Sequence, residues 1–269
     1  MCCLSKEKTM RVTIDADALR SDIRDKSVKV LDIRKEEDYK QGHIPGAINF
    51  PLSNLLADDS PDKVVQYAQS FGIDDETPVV VYDDTFGALA SRVAWTLQYI
   101  GHEDISLLDI TFGTWKKLGL ETSVQPPSLG KKTHSLKLQP EILATAEYLM
   151  PAKEKGAVLV DNRERLNFLE HHIPGAINIP YRMLASNQNV LRPKEELKRL
   201  IQNRNISSGS EVITYCGSVG TLSGLGYYAL KSIGMENVKL YVRSFKEWNS
   251  LEKPIEKQND ANYWDLSAE

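Results

Sequence analysis

The sequence predicts an α/β protein with two tandem domains, each a parallel sheet flanked by helices. Residues 43–49, His-Ile-Pro-Gly-Ala-Ile-Asn, recur without change as residues 172–178, and such an identity within one chain indicates a duplicated domain. In each copy short β-branched runs alternate with helical patterns, which favours βαβ units and a parallel sheet covered on both faces. Residues 125–132, rich in Pro, Gly and Lys, separate the copies as a linker would.

Both copies predict the same order of elements. A strand ends at a carboxylate, a Pro-Gly turn enters a short strand, and a buried strand leads through a short loop into a helix and a last strand. The predicted elements are residues 28–32, 47–49, 79–82, 88–100 and 105–108 in the first copy and 158–161, 176–178, 212–215, 222–233 and 238–241 in the second. Gly101 and Gly234 stand where a helix C-cap is expected.

These elements set the predicted domain boundaries. We expect a flexible N-terminal tail at residues 1–9, a first domain at 10–124, a linker at 125–137 and a second domain at 138–269. The second copy carries a few more residues than the first, and we place them within residues 186–193.

The charge balance excludes several classes of partner. Lys plus Arg is 33 and Asp plus Glu is 37, a net charge of −4, so we expect no nucleic-acid partner, because such proteins usually carry a basic patch. No apolar run approaches the ~20 residues of a membrane span, and the first residues lack the apolar core of a signal peptide. We therefore expect a cytoplasmic protein with no membrane partner, and the sequence sets no expectation for the oligomeric state.

The three cysteines are too few for a disulfide framework. Cys2 and Cys3 lie in a short polar tail, where we expect them to be exposed, with acylation as the alternative. Cys216 is the one cysteine inside a patterned segment.

Cys216 opens a short loop between a predicted strand and a predicted helix. In open α/β sheets, ligands bind beyond the carboxyl ends of the strands. The candidate binding residues after Cys216 are Gly217, Ser218, Val219, Gly220 and Thr221. Two glycines allow the loop to direct several N–H groups at one point, where the hydroxyls and the helix N-terminus also favour an anion. A thiolate there should be a nucleophile that could carry sulfur as a persulfide; the alternative is a buried structural cysteine.

The first copy supplies an internal comparison. Asp83 stands at the position of Cys216, and a carboxylate cannot accept a sulfane sulfur and pass it on. We therefore expect the first domain to be inactive and to cover the active face of the second.

These motifs resemble those of the tandem rhodanese family, which includes thiosulfate and 3-mercaptopyruvate sulfurtransferases. The resemblance covers both copies and includes the His-Ile-Pro-Gly-Ala turns, the Asp161 and Arg163 pair, the six-residue loop from Cys216, Asp83, and residues 91–95. It implies two tandem rhodanese-like domains and sulfur transfer from thiosulfate or 3-mercaptopyruvate to cyanide or a thiol through a Cys216 persulfide. No metal-ligand cluster or nucleotide-binding glycine motif is present, so no cofactor is implied.

The chain also departs from the family pattern. Its loop is closer to the mercaptopyruvate members, which read Cys-Gly-Ser-Gly-Val-Thr, but the order of Val219 and Gly220 is reversed. Asn167 stands where the family has a substrate-binding arginine, and Arg165 or Arg243 could replace that arginine or could be an ordinary surface residue. His43 resembles a family histidine near the site, although a histidine there more often braces the turn.

The sequence leaves two other functions as alternatives. A phosphatase or arsenate reductase of the same fold would use a longer cysteine loop closed by an arginine, and residues 216–221 contain none. A non-catalytic rhodanese-like binding or regulatory module would follow if the changed loop and the missing arginine prevent turnover. Because fold alone does not establish function, the prediction of a sulfurtransferase depends on the loop at residues 216–221.

Overall fold

The computed structural model describes residues 11–186 and 188–257. The predicted N-terminal tail, with Cys2 and Cys3, lies outside the described residues. Within the described ranges, no helix has the length and apolar character that crossing a bilayer requires.

The first domain contains a five-stranded parallel sheet with the strand order β1-β5-β4-β2-β3. Its elements are β1 (Thr13–Ile14), α1 (Ala16–Arg24), β2 (Lys29–Asp32), α2 (Glu36–Gln41), β3 (Ile48–Asn49), α3 (Leu52–Ala57), α4 (Pro61–Ser70), β4 (Val79–Tyr82), α5 (Ala88–Tyr99), β5 (Ile105–Leu108) and α6 (Phe112–Lys117).

The second domain repeats this arrangement around a four-stranded parallel sheet with the order β7-β6-β8-β9. After a 3₁₀ turn at Pro140–Ile142, its elements are α7 (Ala146–Glu154), β6 (Val158–Asp161), α8 (Arg165–Glu170), β7 (Ile177–Asn178), α9 (Tyr181–Leu184), α10 (Lys194–Gln202), β8 (Val212–Tyr215), α11 (Thr221–Ser232), β9 (Val238–Leu240) and α12 (Ser244–Ser250). The predicted fold class, two parallel-sheet α/β domains, is confirmed.

The buried strands agree best with the sequence prediction. β4, β5 and β8 have the predicted bounds, and all residues of β4 and β8 are buried, as expected when helices cover both faces of a parallel sheet. Gly101 (φ +107°) and Gly234 (φ +88°) follow α5 and α11 in left-handed conformations, which stop a helix at little cost only when the residue is glycine.

The two domains share a hydrophobic core. One buried cluster lies on the outer side of the first domain, around Leu19 and Trp115, and a second on the outer side of the second domain, around Leu149 and Trp248. The largest cluster contains residues of both domains, with α5 packed on α11. A Cβ on Gly224 would lie 3.1 Å from the Ser91 Oγ, so this glycine permits close approach of the two helices.

Two connecting segments form hydrogen bonds with the first domain. Residues 125–137, predicted as a linker, contain no helix or strand, and at their end the Lys137 N–H donates to the Ile100 carbonyl at 3.0 Å. Between α9 and α10, where the second copy is longer than the first, the Val190 N–H donates to the Asp109 carbonyl at 2.9 Å. The described part of this longer connection therefore contacts the first domain.

Candidate functional site

Cys216 follows β8, which lies between β6 and β9 in its sheet. Its side chain is only 2% exposed. The loop after it ends at Gly220, whose φ of +74° turns the chain into α11. A Cβ on Gly220 would lie 2.9 Å from a methyl group of Val242, so both the conformation and the packing favour glycine. Cys216 and the predicted loop residues 217–221 thus lie at the carboxyl edge of the sheet.

Ser244 holds Cys216 from the neighbouring segment. The Cys216 N–H donates to the Ser244 Oγ at 3.1 Å, and the Cys216 Sγ lies 3.6 Å from the same oxygen. The Ser244 hydroxyl donates to the Tyr241 carbonyl at 3.0 Å, which leaves its lone pairs for the Cys216 N–H. Ser244 has a φ of +59°, an uncommon conformation for a residue with a side chain. Sequence reasoning considered only its neighbour Arg243, because Cys216 and Ser244 are far apart in the chain.

The equivalent loop of the first domain is closed around a carboxylate. The buried Asp83 side chain accepts four backbone N–H bonds, from Thr85, Gly87, Leu89 and Ala90, at 2.8–2.9 Å. The Thr85 hydroxyl donates a further bond to it at 2.9 Å. A strand-to-helix loop of this length in this fold can therefore enclose an anion with backbone donors.

The second loop offers corresponding donors to a thiol. The equivalent N–H groups are those of Ser218, Gly220, Leu222 and Ser223. In the described parts of the chain no protein acceptor is bonded to them. Gly87 and Gly220 share a left-handed conformation, whereas Phe86 has a φ of +58° and Val219 does not. The two loops therefore differ in backbone conformation at this position, which is Phe86 in the first loop and Val219 in the second.

The predicted arginines have different positions. Arg243 is 58% exposed, and its Nη2 lies 2.8 Å from the Asp59 Oδ1 of the first domain. Arg165 begins α8, which follows β6, the strand beside β8, and it is partly exposed. Asn167 is exposed on the same helix. Both arginines thus lie toward the sheet edge that carries Cys216, and Arg243 is already engaged across the domain boundary.

Sequence reasoning missed a third arginine. Arg92, on α5 of the first domain, is 1% exposed, and its Nε donates to the Val219 carbonyl of the cysteine loop at 2.8 Å. Its Nη2 lies 3.1 Å from the Asp59 Oδ2. Burial lowers the Arg92 pKa to about 10, while Asp59 and Cys216 act to raise it, so the side chain stays charged at neutral pH. The available signal was that Arg92 is the one charged residue of α5.

Other polar motifs support the frame of each domain. The Arg163 Nη2 lies 2.6 Å from the Asp161 Oδ2 and donates to the His171 carbonyl at 2.7 Å, and its guanidinium lies 4.3 Å from the Phe245 ring centroid. The His43 Nδ1 lies 2.9 Å from the Tyr39 carbonyl oxygen, which corresponds to the turn-bracing alternative.

The geometry defines what the site can do chemically. A nearly buried thiol lies among backbone donors, at a helix N-terminus and near a buried guanidinium. Each of these groups favours a negative charge on sulfur. The site is therefore suited to a thiolate nucleophile.

Comparisons with known proteins agree with this geometry. The family model described as the rhodanese-like domain matches residues 15–118 and 145–251. The chain is 30% identical to a protein named putative thiosulfate sulfurtransferase from Haloferax volcanii, over 83% of this chain and 86% of that protein. It is 26% identical to the 3-mercaptopyruvate sulfurtransferase of Escherichia coli strain K12, over 90% and 97% of the two chains.

A solved structure shows the same architecture. The crystal structure of SseA from Escherichia coli, described as a 3-mercaptopyruvate sulfotransferase with the rhodanese fold, matches with a TM-score of 0.77 and 26% identity. The match covers 88% of this chain and 99% of that one. With both domains matched by the family model and the fold shared over nearly the whole chain, the protein belongs to the rhodanese family of sulfurtransferases.

Proposed function

We propose that the protein transfers a sulfane sulfur from thiosulfate or 3-mercaptopyruvate to cyanide or a thiol acceptor, through a persulfide on Cys216. The first domain does not take part in the chemical step, because it has Asp83 at the corresponding position. No cofactor is needed for this exchange between sulfur atoms.

The observation that carries the proposal is the bonding of Asp83. Its carboxylate accepts four backbone N–H bonds in the first loop. A persulfide is also an anion, and its outer sulfur extends beyond the Cys216 Sγ as a carboxylate extends beyond its Cβ. The second loop can hold it with N–H groups in the equivalent positions, which stabilises the intermediate between two half-reactions.

The reaction follows from the chemistry of the thiolate. The Cys216 Sγ attacks the outer sulfur of thiosulfate, or the thiol sulfur of 3-mercaptopyruvate, and forms an S–S bond. The donor's bond to that sulfur breaks, and its electron pair leaves with sulfite or with the enolate of pyruvate, which then takes a proton. The acceptor attacks the outer sulfur, and Cys216 leaves as a thiolate.

We expect 3-mercaptopyruvate to be used better than thiosulfate. Gly217 and Ser218 are uncharged, whereas a dianionic donor would favour cations next to the thiol. The candidate residues for the donor are Gly217, Ser218, Val219, Gly220 and Thr221, with Arg165 or Arg243 for its negative charge. A side-by-side cyanolysis assay with both donors measures the two kcat/KM values, and a larger value for thiosulfate would show the preference to be wrong.

The mechanism is tested by Cys216→Ser. A hydroxyl cannot form a persulfide, so thiocyanate formation should fall to the uncatalysed rate, and the protein incubated with donor should no longer gain the mass of one sulfur atom. The matched control in the first domain, Asp83→Asn, keeps an acceptor oxygen in the loop and should retain transfer. Thiocyanate formation by Cys216→Ser would rule out the persulfide.

The same experiment tests the non-catalytic alternative. A non-catalytic binding module would give no thiocyanate and no mass gain even as the wild type. A phosphatase or arsenate reductase would turn over an oxyanion, for which residues 216–221 supply no arginine.

A further inference from the structure

Arg92 is buried at the boundary between the two domains. It lies on α5, which otherwise carries only apolar and uncharged polar residues. A buried guanidinium is costly unless its donors and its charge are matched. Arg92 meets that condition through the Val219 carbonyl, the Asp59 carboxylate and the Thr96 hydroxyl.

The contact with Val219 fixes the orientation of one carbonyl group in the cysteine loop. The Arg92 Nε lies 2.8 Å from the Val219 oxygen, so it fixes that carbonyl toward the first domain. A loop carbonyl turned inward would instead place negative partial charge next to the sulfur. Arg92 thus favours the loop conformation in which N–H groups, rather than oxygens, face Cys216.

The charge of Arg92 acts in the same direction. Cys216 is 2% exposed, and burial without a counter-charge disfavours a thiolate. Residues 217–221 contain no cation. Arg92 and Arg243 both pair with Asp59, at 3.1 and 2.8 Å, so these three charged side chains lie together at the domain boundary beside the cysteine loop.

We propose that Arg92 is a positioning residue for sulfur transfer, through which the inactive first domain orders the cysteine loop of the second and supplies the buried positive charge that favours the Cys216 thiolate. This inference deepens the proposed function. Asp59, which lies between Arg92 and Arg243, partly offsets that charge.

The test measures the reactivity of Cys216 without any sulfur donor. The rate of iodoacetamide alkylation of Cys216, followed by mass spectrometry of its own peptide from pH 5 to 10, gives the midpoint of thiol ionisation in the full-length protein. Arg92→Met should raise this midpoint by about one pH unit or more, which is the size of shift expected for loss of a close opposite charge. Arg92→Lys should restore part of it.

Two further variants keep the test decisive. Tyr228→Phe removes a hydroxyl that bonds Gln98 across the same interface and should leave the midpoint unchanged. Asp59→Asn removes the offsetting negative charge and should lower the midpoint, a change opposite in sign to that of Arg92→Met.

The outcomes separate this inference from the proposed function. If Arg92→Met fails to fold, Asp59→Asn and Arg92→Lys decide the question. Unchanged midpoints in the folded variants would overturn the role of Arg92. Because alkylation needs no donor, the shifts can be read even if the protein does not transfer sulfur.

Discussion

Arg243 forms an ion pair with Asp59 across the domain boundary. Its ion pair with Asp59 is 2.8 Å long, but Arg243 is 58% exposed, and exposed pairs contribute only about 0.2–1 kcal/mol. An anionic donor could therefore draw this guanidinium away from Asp59 at small cost. The ion pair is compatible with the anion-binding role predicted for Arg243, which stays a prediction.

We expect Arg165→Ala or Arg243→Ala to lower kcat/KM about ten- to a hundredfold, since a hydrogen bond to a charged group contributes roughly 1.5–3 kcal/mol. The loss should fall mainly on KM, because the anion is held in both the ground state and the transition state. Steady-state kinetics with each donor measures it. Arg182→Ala, which removes another exposed arginine paired to a glutamate, is the control and should change neither constant. If both single variants and the double variant keep the wild-type kcat/KM, neither arginine binds the donor.

The sequence predicted the residues of the cysteine loop but not those that hold it. The loop is one contiguous motif, so its glycines, its hydroxyl groups and its place after a strand can be read locally. Arg92 and Ser244 reach the loop from other elements, and their contacts with Val219 and Cys216 depend on how the domains and β9 are packed. Such long-range contacts have no local pattern.

At the scale of elements, the pair α5 and α11 connects the two domains. Both helices are apolar over most of their length, which made them predictable. The short helices α3 and α9 were not predicted, since they follow prolines and have six and four residues. They form because Leu55 and Leu184 are buried in the shared core, a tertiary effect that propensity does not capture.

Close approach of α5 and α11 depends on Gly224. A Cβ there would lie 3.3 Å from the Arg92 nitrogen and from the Ser91 carbonyl carbon, so Gly224→Val must separate the helices. We expect a loss of about 1–3 kcal/mol in the free energy of unfolding from overpacking. Urea denaturation measures this loss. The same displacement would move Arg92 away from Val219, so sulfur transfer should also fall.

The control for this change is Gly209→Val. No atom lies within 4 Å of a Cβ at Gly209, and its stability should change little. Equal stability losses at the two positions would show that the helix contact is not tightly packed at Gly224.

At the scale of the whole molecule, the repeats predicted two domains but not their mode of packing. The largest hydrophobic cluster runs from the first sheet through α5 and α11 into the second domain. The segment between α9 and α10 also contacts the first domain. The Asn189 side chain donates to the Asp109 carboxylate at 2.9 Å, and Val190 packs on Gly87. The domains therefore share much of the buried surface that stabilises each of them.

Because of this shared core, we expect the two domains to unfold in one transition, although multidomain proteins often do not. Hydrogen exchange at increasing urea, followed by mass spectrometry, can compare peptides that contain β4 and β8, the central strands of the two sheets. Both should lose protection at the same urea concentration. Leu19 lies in the outer cluster of the first domain, and Leu19→Ala should lower the free energy of unfolding by about 2–5 kcal/mol. If the domains are coupled, this variant lowers the midpoint of β8 as much as that of β4. A shift confined to β4 would mean that the first domain unfolds alone and that its contacts, Arg92 included, can be released without unfolding the second domain.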